Sequence, residues 1–454
     1  MKKIIIPVAL FAAVFITSLL CLPYTLVCQE YEGLFLNSPD WWARALSQPF
    51  PVSEAISCFL VQFYRDPLFG ALITAALVCV AFLLARGVFS SFGVPAEAIS
   101  GAGAGVLWFF LARASSPKIA VAAVLILLVA WLLSLIIRAK AKARTFKADI
   151  PIASAAVLAA AALVVFSPSI RRTERFSRVK ADALYGVWDD LLKTLPPSVA
   201  EADPELTPFA LLALSAKGEL GDKMFSYPVY GENDLDMVLY DGKDDYSTSL
   251  FFKACLYQFL GCYNEAIHNY YQWSTQNAQG TSFIVLRRLA ELYCLQGNYT
   301  LMEKYCRILD KSLLHGAYVR HFRALAASGT PKEPDPAAVS ASMPVITHDP
   351  VYNLILLESN GLGSVMSAER LLCTFILKKD TPRFKSAISV IAPSYKHIPR
   401  HFQEAMLFEG IPSMDIDPEI REEFSSFVVD SMELPWDQVV KRYKGTAFLY
   451  LASE

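Results

Sequence analysis

Apolar and polar positions divide the chain into two unequal parts. The first 170 residues hold five apolar runs: Ile4–Pro23 behind Lys2 and Lys3, Leu68–Ala85 closed by Arg86, Ala98–Ala112, Ile119–Ile137 between Lys118 and Arg138, and Ile150–Phe166, uncharged through Ile170. A hydrocarbon core of about 30 Å takes roughly 20 helical residues, so four of these runs predict membrane-spanning helices. Ala98–Ala112 is shorter and predicts either a fifth span or a re-entrant segment. Its Gly101, Gly103 and Gly105 are of the size that lets helices approach closely in lipid. The first run differs from a cleaved leader, since its apolar core exceeds the usual length of about 7–15 residues and no small-x-small site follows. Ser18-Leu19-Leu20-Cys21 is a poor lipoprotein site, because Leu20 is too large for the residue before an acylated Cys.

From Arg171 onward the pattern becomes that of an amphipathic, mostly helical globular domain. Leu184, Trp188, Leu191 and Leu192 share one face of a predicted helix that stops at Pro196-Pro197. Phe209–Leu214 opens another, punctuated by Gly218 and Gly221. Ser367–Leu377, Arg383–Ile391 and Pro399–Phe408 predict further short helices, and Thr446–Leu451 an apolar segment that docks on them. A Pro- and Ser-rich stretch from Gly329 to about Pro350 reads as a linker or long loop. The fold class expected is therefore all-α: a multi-pass transmembrane bundle over 1–170, with spans near 4–23, 68–85, 98–112, 119–137 and 150–168, and a soluble helical domain over 171–454.

Between 248 and 312 the chain repeats with a period of 36. Leu250, Ala254, Tyr257, Gly261 and Tyr263 recur as Leu286, Ala290, Tyr293, Gly297 and Tyr299. Each unit reads as two helices joined at a Gly, which takes the turn conformation other residues resist. The small Ala lets the paired helices approach and the Tyr fills the gap between them. Ala266 packs the second helix of the first unit; Met302 stands there in the second. These residues and spacings resemble the tetratricopeptide repeat. That resemblance implies a stack of helical hairpins with Phe251, Gln258, Arg287 and Glu291 facing a groove for another protein or a peptide.

The whole chain also resembles multi-pass membrane proteins of Bacteroidetes-type bacteria that carry a tetratricopeptide-like C-terminal region, a family with no assigned activity. The residues carrying this are Gln48-Pro49, Phe59-Leu60-Val61-Gln62-Phe63-Tyr64, Leu212–Phe225, Leu260–Ala266 and His401-Phe402-Gln403-Glu404-Ala405.

Composition narrows the chemistry. Hydrophobic residues make up 54% and charged residues 19%, against about 25% charged in ordinary soluble chains, and the deficit sits in residues 1–170. A net charge of −2 gives no reason to expect nucleic acid. Six His and nine Cys follow no paired metal spacing, so no metal or cofactor is expected. His401 and Glu404 share a helical face with His397 nearby, and read as an ordinary surface helix. Of the five downstream cysteines, Cys255, Cys262, Cys294, Cys306 and Cys373, an odd number leaves at least one thiol unpaired, and buried free Cys is the expected state. Gly101–Gly105 is no phosphate loop, because no Lys-Ser/Thr follows, and neither GxSxG nor HExxH occurs. The spans carry almost no ionisable residue, which counts against an ion-coupled carrier.

Charge also bears on topology. Arg138, Lys140, Lys142, Arg144 and Lys147 form the densest basic loop, and the positive-inside rule puts it in the cytoplasm. With the N-terminus inside, that requires five spans and sends the soluble domain to the periplasmic side of the bacterial inner membrane. Arg171, Arg172, Arg175, Arg178 and Lys180 after the last span pull the other way. Within residues 24–67, Asp40-Trp41-Trp42 and Ile56–Tyr64 read as an interfacial helix with rings at headgroup depth. The sharper alternative is an active-site loop using Glu30, Glu32, Asp40 or Asp66. Two functions follow: a membrane-anchored protein mediating protein–protein interaction or assembly at the bacterial envelope, or an envelope enzyme or transfer protein acting on glycan or lipid-linked substrates, with a site expected between loop 24–67 and the soluble domain. No catalytic residue is assigned.

Overall fold

The structure, a computed structural model, describes residues 2–137, 148–237, 246–276, 280–328, 350–359, 363–412 and 416–453. The basic loop 138–147 and most of the Pro- and Ser-rich stretch 329–350 lie outside the described residues. No β-strand occurs among the described residues. The first part runs α1 (Lys2–Cys21), α2 (Pro23–Glu32), α3 (Pro39–Leu46), α4 (Pro51–Val61), α5 (Pro67–Ser91), α6 (Ala96–Leu111), α7 (Lys118–Ile137), α8 (Asp149–Phe166) and α9 (Pro168–Tyr185). Prolines open α2 through α5 and α9: the missing N–H costs nothing in the first turn and the fixed φ suits a helix start.

The second part continues as α10 (Trp188–Thr194), α11 (Pro197–Ala202), α12 (Thr207–Lys217), α13 (Leu220–Lys223), α14 (Asn233–Asp236), α15 (Tyr246–Phe259), α16 (Tyr263–Thr275), α17 (Phe283–Leu295), α18 (Tyr299–Leu309) and α19 (Gly316–Ala327). It ends with α20 (Pro350–Ser359), α21 (Val365–Leu377), α22 (Thr381–Ile391), α23 (Arg400–Phe408), α24 (Pro418–Glu433), α25 (Trp436–Arg442) and α26 (Ala447–Ala452). The face expected to run unbroken through Leu184 and Leu192 is interrupted: Gly186 takes φ +67° between α9 and α10. A Cβ there would also press on the Phe259 ring at 3.1 Å. The two repeat units are helix pairs as expected, α15 with α16 and α17 with α18, turning at Gly261 (φ +76°) and Gly297 (φ +70°).

The chain divides into two compact units, and the division is not a single cut near 170. One unit takes Met1–Ala181, Ser274–Cys294 and Asn298–Gly329; the other takes Asp182–Trp273, Leu295–Gly297 and Thr330–Glu454. The second repeat hairpin thus folds with the N-terminal helices, drawn there by side chains of the first loop. That loop offers backbone partners as well. Asn37 N–H donates to Lys311 O at 2.7 Å and Phe283 N–H to Gly33 O at 2.9 Å.

In the first unit α1, α5, α6, α7 and α8 form an apolar bundle around Leu10, Val78, Phe82, Trp108 and Val157. Four of these, α1, α5, α7 and α8, are long and apolar enough to cross a membrane; α6, at 16 residues, is shorter. It nevertheless packs intimately on α8. A Cβ on Gly101 would lie 3.1 Å from the Ala153 backbone, and one on Gly105 2.9 Å from Ala160 Cβ. Asp149 at the start of α8 caps α6 by accepting from Ala98 N–H at 2.6 Å. In similar fashion Glu174 of α9 caps α2, accepting from the Tyr24 and Thr25 amides at 2.9 and 2.8 Å. In the second unit α26 docks as expected, with Phe448 and Leu449 packed among Phe427, Val439 and Tyr443.

Candidate functional site

Two buried polar clusters stand out, one in each unit. The first is built on Glu30, at the C-terminal end of α2 and fully buried. Its Oε2 accepts from Arg287 Nη2 of α17 at 2.6 Å, and its Oε1 lies 3.0 Å from His315 Nε2, just before α19. The other imidazole nitrogen, Nδ1, is 2.9 Å from Ser312 Oγ, and the ring stacks on Phe283 with centroids 4.1 Å apart. The Arg287 guanidinium lies over the rings of Tyr31 and Tyr318, at 5.5 and 5.8 Å.

Burial works to raise the Glu30 carboxyl, but Arg287 and His315 outweigh it and hold it below the ordinary carboxylate range. Burial, with the Arg287 charge added, pushes His315 down despite its bond to Glu30. The Ser312 hydroxyl that faces Nδ1 donates its own proton to Leu309 O at 2.7 Å. Ser, His and Glu stand in the order that activates a serine nucleophile in hydrolases. Here Ser312, His315 and Glu30 are all buried. Arg287 takes one carboxylate oxygen, and Leu309 O takes the Ser312 proton. The hydrogen bonds are spent within the chain, as in a fastener.

The expected groove residues separate. Phe251 is buried in the second unit, its ring 5.0 Å from that of Trp273. Gln258, half-buried, accepts from Tyr270 Oη at 3.1 Å. In the first unit Arg287 is not groove surface, because Glu30 occupies it; Glu291 accepts from Arg288 Nη1 at 2.5 Å. Of the other loop acids, Asp66 caps α5 through the Leu68 amide, and Glu32 lies 3.9 Å from Lys180. Asp40, in the first turn of α3, is exposed. Among the repeat-packing residues Leu250, Ala254, Tyr263, Ala266, Leu286 and Ala290 are buried, while Tyr257, Tyr293 and Tyr299 are half-buried. Tyr293 stacks on Tyr305 at 5.6 Å.

The second cluster joins sequence pieces that are far apart. Glu369 and Arg370 lie side by side on α21, each about 1% exposed. Arg370 Nη1 donates to Ser215 Oγ at 3.0 Å and Nη2 to Leu235 O and to Asp236 Oδ1. Glu369 Oε1 accepts from Gly221 N–H at 2.8 Å, while its Oε2 has no partner among the described residues. Burial pushes the Glu369 carboxyl up to about 7. On α23, His401 and Glu404 are buried, which corrects the surface-helix expectation. His401 Nδ1 lies 2.9 Å from Glu404 Oε2, and that same oxygen accepts from Ala447 N–H at 2.7 Å. Arg400 Nε donates to Glu404 Oε1 at 2.7 Å. Gln403 bridges Ile398 O and the Asp417 amide. His397 stays outside this set, exposed, 3.5 Å from Asp417. Gly221 gives room to Pro399 and Phe402, where a Cβ would come within 2.7 and 3.0 Å.

Neither cluster gathers three His, Cys, Asp or Glu side chains as a metal site would, among the described residues. Of the five downstream cysteines, Cys255, Cys294, Cys306 and Cys373 are buried and Cys262 is half-buried. An open cleft of about 740 Å³ in the second unit is lined by Ile388, Tyr395, His397, Ile398, Met406 and Asp417. Sequence reasoning missed Ser312, His315, Glu369 and Arg370. The one local signal was a Glu-Arg pair set inside the apolar face of Ala368–Leu377.

The chain belongs to a family described as a family of unknown function, DUF6057, which it matches over residues 1–184 and 118–454. No curated protein and no solved structure matches it.

Proposed function

We propose that this is a multi-pass protein of the bacterial inner membrane whose helical hairpins serve protein–protein assembly at the envelope. The observation that carries this reading is the fastener of Glu30, Arg287, His315 and Ser312. It ties the second repeat hairpin to the segment leaving the first apolar helix, making a fixed platform of the kind an assembly factor presents. Outward-facing Ile126, Leu158 and Phe166, each more than half exposed, suit a bundle surrounded by lipid.

In this reading α6 is a fifth span. Its 16 residues reach only about 24 Å, a shortfall that local thinning of the bilayer accommodates. Five spans then put the basic loop 138–147 in the cytoplasm and the C-terminus in the periplasm. A C-terminal tag should be digested by protease added to intact spheroplasts; protection until lysis would reverse the topology.

The assembly role is tested with photo-crosslinkers at Gln258 and Glu291 of the full chain in living cells, with Lys385 as a control position. Discrete protein adducts at the two repeat positions are expected. Their absence, or the same adducts at Lys385, would sink the assembly role. The Ser312–His315–Glu30 order is the observation favouring an enzyme instead. Covalent capture of Ser312 by a fluorophosphonate probe would support that reading over ours.

A further inference from the structure

The helix α4 turns apolar side chains outward. Its buried side mixes Ala55, Cys58 and Val61 with Ser53 and Ser57, continued by Gln62, while Val52, Ile56 and Phe59 face outward at 56%, 37% and 38% exposure. Phe50, immediately before the helix, is 69% exposed. The outward positions recur at spacings of four and three, one stripe of a helix. In water such an outer face would be polar; an outward apolar stripe belongs to an apolar surrounding.

The position of α4 says which surrounding. It packs on the start of α7, where Glu54 Oε2 meets Lys118 Nζ at 2.5 Å. Lys118 is the last charge before the uncharged run 119–137, so α4 lies level with one end of that helix. Its apolar stripe continues into Leu68 and Phe69 at the start of α5, 47% and 50% exposed, and into Ile119 of α7, 61% exposed. The inner face is meanwhile engaged with protein: Gln62 Oε1 accepts from Leu313 N–H at 3.1 Å, on the turn that follows α18.

We propose that α4 is an interfacial wedge, half-sunk in one leaflet with Val52, Ile56 and Phe59 among acyl chains just below the headgroups. Through Gln62, the wedge seats the hairpin α17–α18 at the membrane surface. This rests on the membrane reading above.

The test uses the full chain in phospholipid nanodiscs with p-benzoylphenylalanine placed singly at positions 52, 56, 126 and 189. Position 126 lies on the outer face of α7, and 189 on an exposed helix of the other unit. Irradiation should add the mass of a phospholipid at 52 and 56 as readily as at 126, and not at 189. Lipid adducts at 126 with none at 52 and 56 would overturn the wedge while leaving the membrane reading intact. Protein adducts at 52 and 56 in place of lipid would overturn it too, by giving the stripe to a partner. No lipid adduct at 126 either would bring down both.

Discussion

Replacing Glu30 by Leu should loosen the hairpin far more than replacing Glu30 and Arg287 together. Across 2.6 Å the pair attracts by about 6 kcal/mol at an effective dielectric of about 20. Desolvating two ions costs several kcal/mol each, so the intact pair nets little. Removing Glu30 alone leaves the desolvation of Arg287, 3% exposed, with nothing to offset it, a loss of about 3–5 kcal/mol. Glu30→Leu with Arg287→Met removes both charges and should recover most of that loss. Hydrogen exchange in detergent at neutral pH reads this directly. If amides of α17–α19 exchange through opening of the fastener, Glu30→Leu should speed them roughly 100- to 4,000-fold, and the double variant should fall back toward wild type. A change under about 1 kcal/mol in the single variant, the scale of a surface pair, would refute the buried fastener. So would a double variant as damaged as the single.

The pH dependence has two parts of opposite sign. His315 is depressed below 6.5 in the folded chain, so its contribution is present above pH 6.5 and is lost as pH falls toward its folded value. Protection of α17–α19, corrected for the intrinsic pH dependence of amide exchange, should therefore fall as pH drops below 6.5, and His315→Gln should flatten that fall. Glu369 is raised from 4.5 to about 7, so its contribution is present below 4.5 and is lost as pH rises through 7. Glu369→Gln should raise the melting temperature at pH 8 and remove the decline between 4.5 and 7; a lower melting temperature at pH 8 would contradict this. Gly105→Val should cost about 1–3 kcal/mol by forcing α6 from α8, read as a lower melting temperature in detergent. Gly103→Ala, with nothing within 4 Å of its Cβ, should leave stability unchanged or raise it by up to about 1 kcal/mol.

What was legible in the sequence was local. Apolar runs marked the bundle helices to within a few residues, with α5 extending further to Ser91, and the Gly at each repeat turn marked both hairpins. What was not legible depended on distant partners. Glu30 meets Arg287 and His315 across 257 and 285 residues, and no periodicity reports such a pairing. The i,i+3 spacing of His401 and Glu404 placed both on one helical face without saying that the face points inward, onto Phe225 and the Ala447 amide. Arg287 looked like groove surface because the repeat pattern describes hairpins stacking on one another. It carries no information about a loop from another part of the chain lying across them.

The fastener also sets an order on biosynthesis. At about 5–20 residues per second, the ribosome needs roughly 13 to 50 s to advance from Glu30 to Arg287, and longer to reach His315. Throughout that interval the carboxylate destined for burial has neither Arg287 nor His315 to meet. An unmatched Glu30 is thus a chemical signature of an unfinished chain, and its pairing waits on one of the last pieces of the first unit.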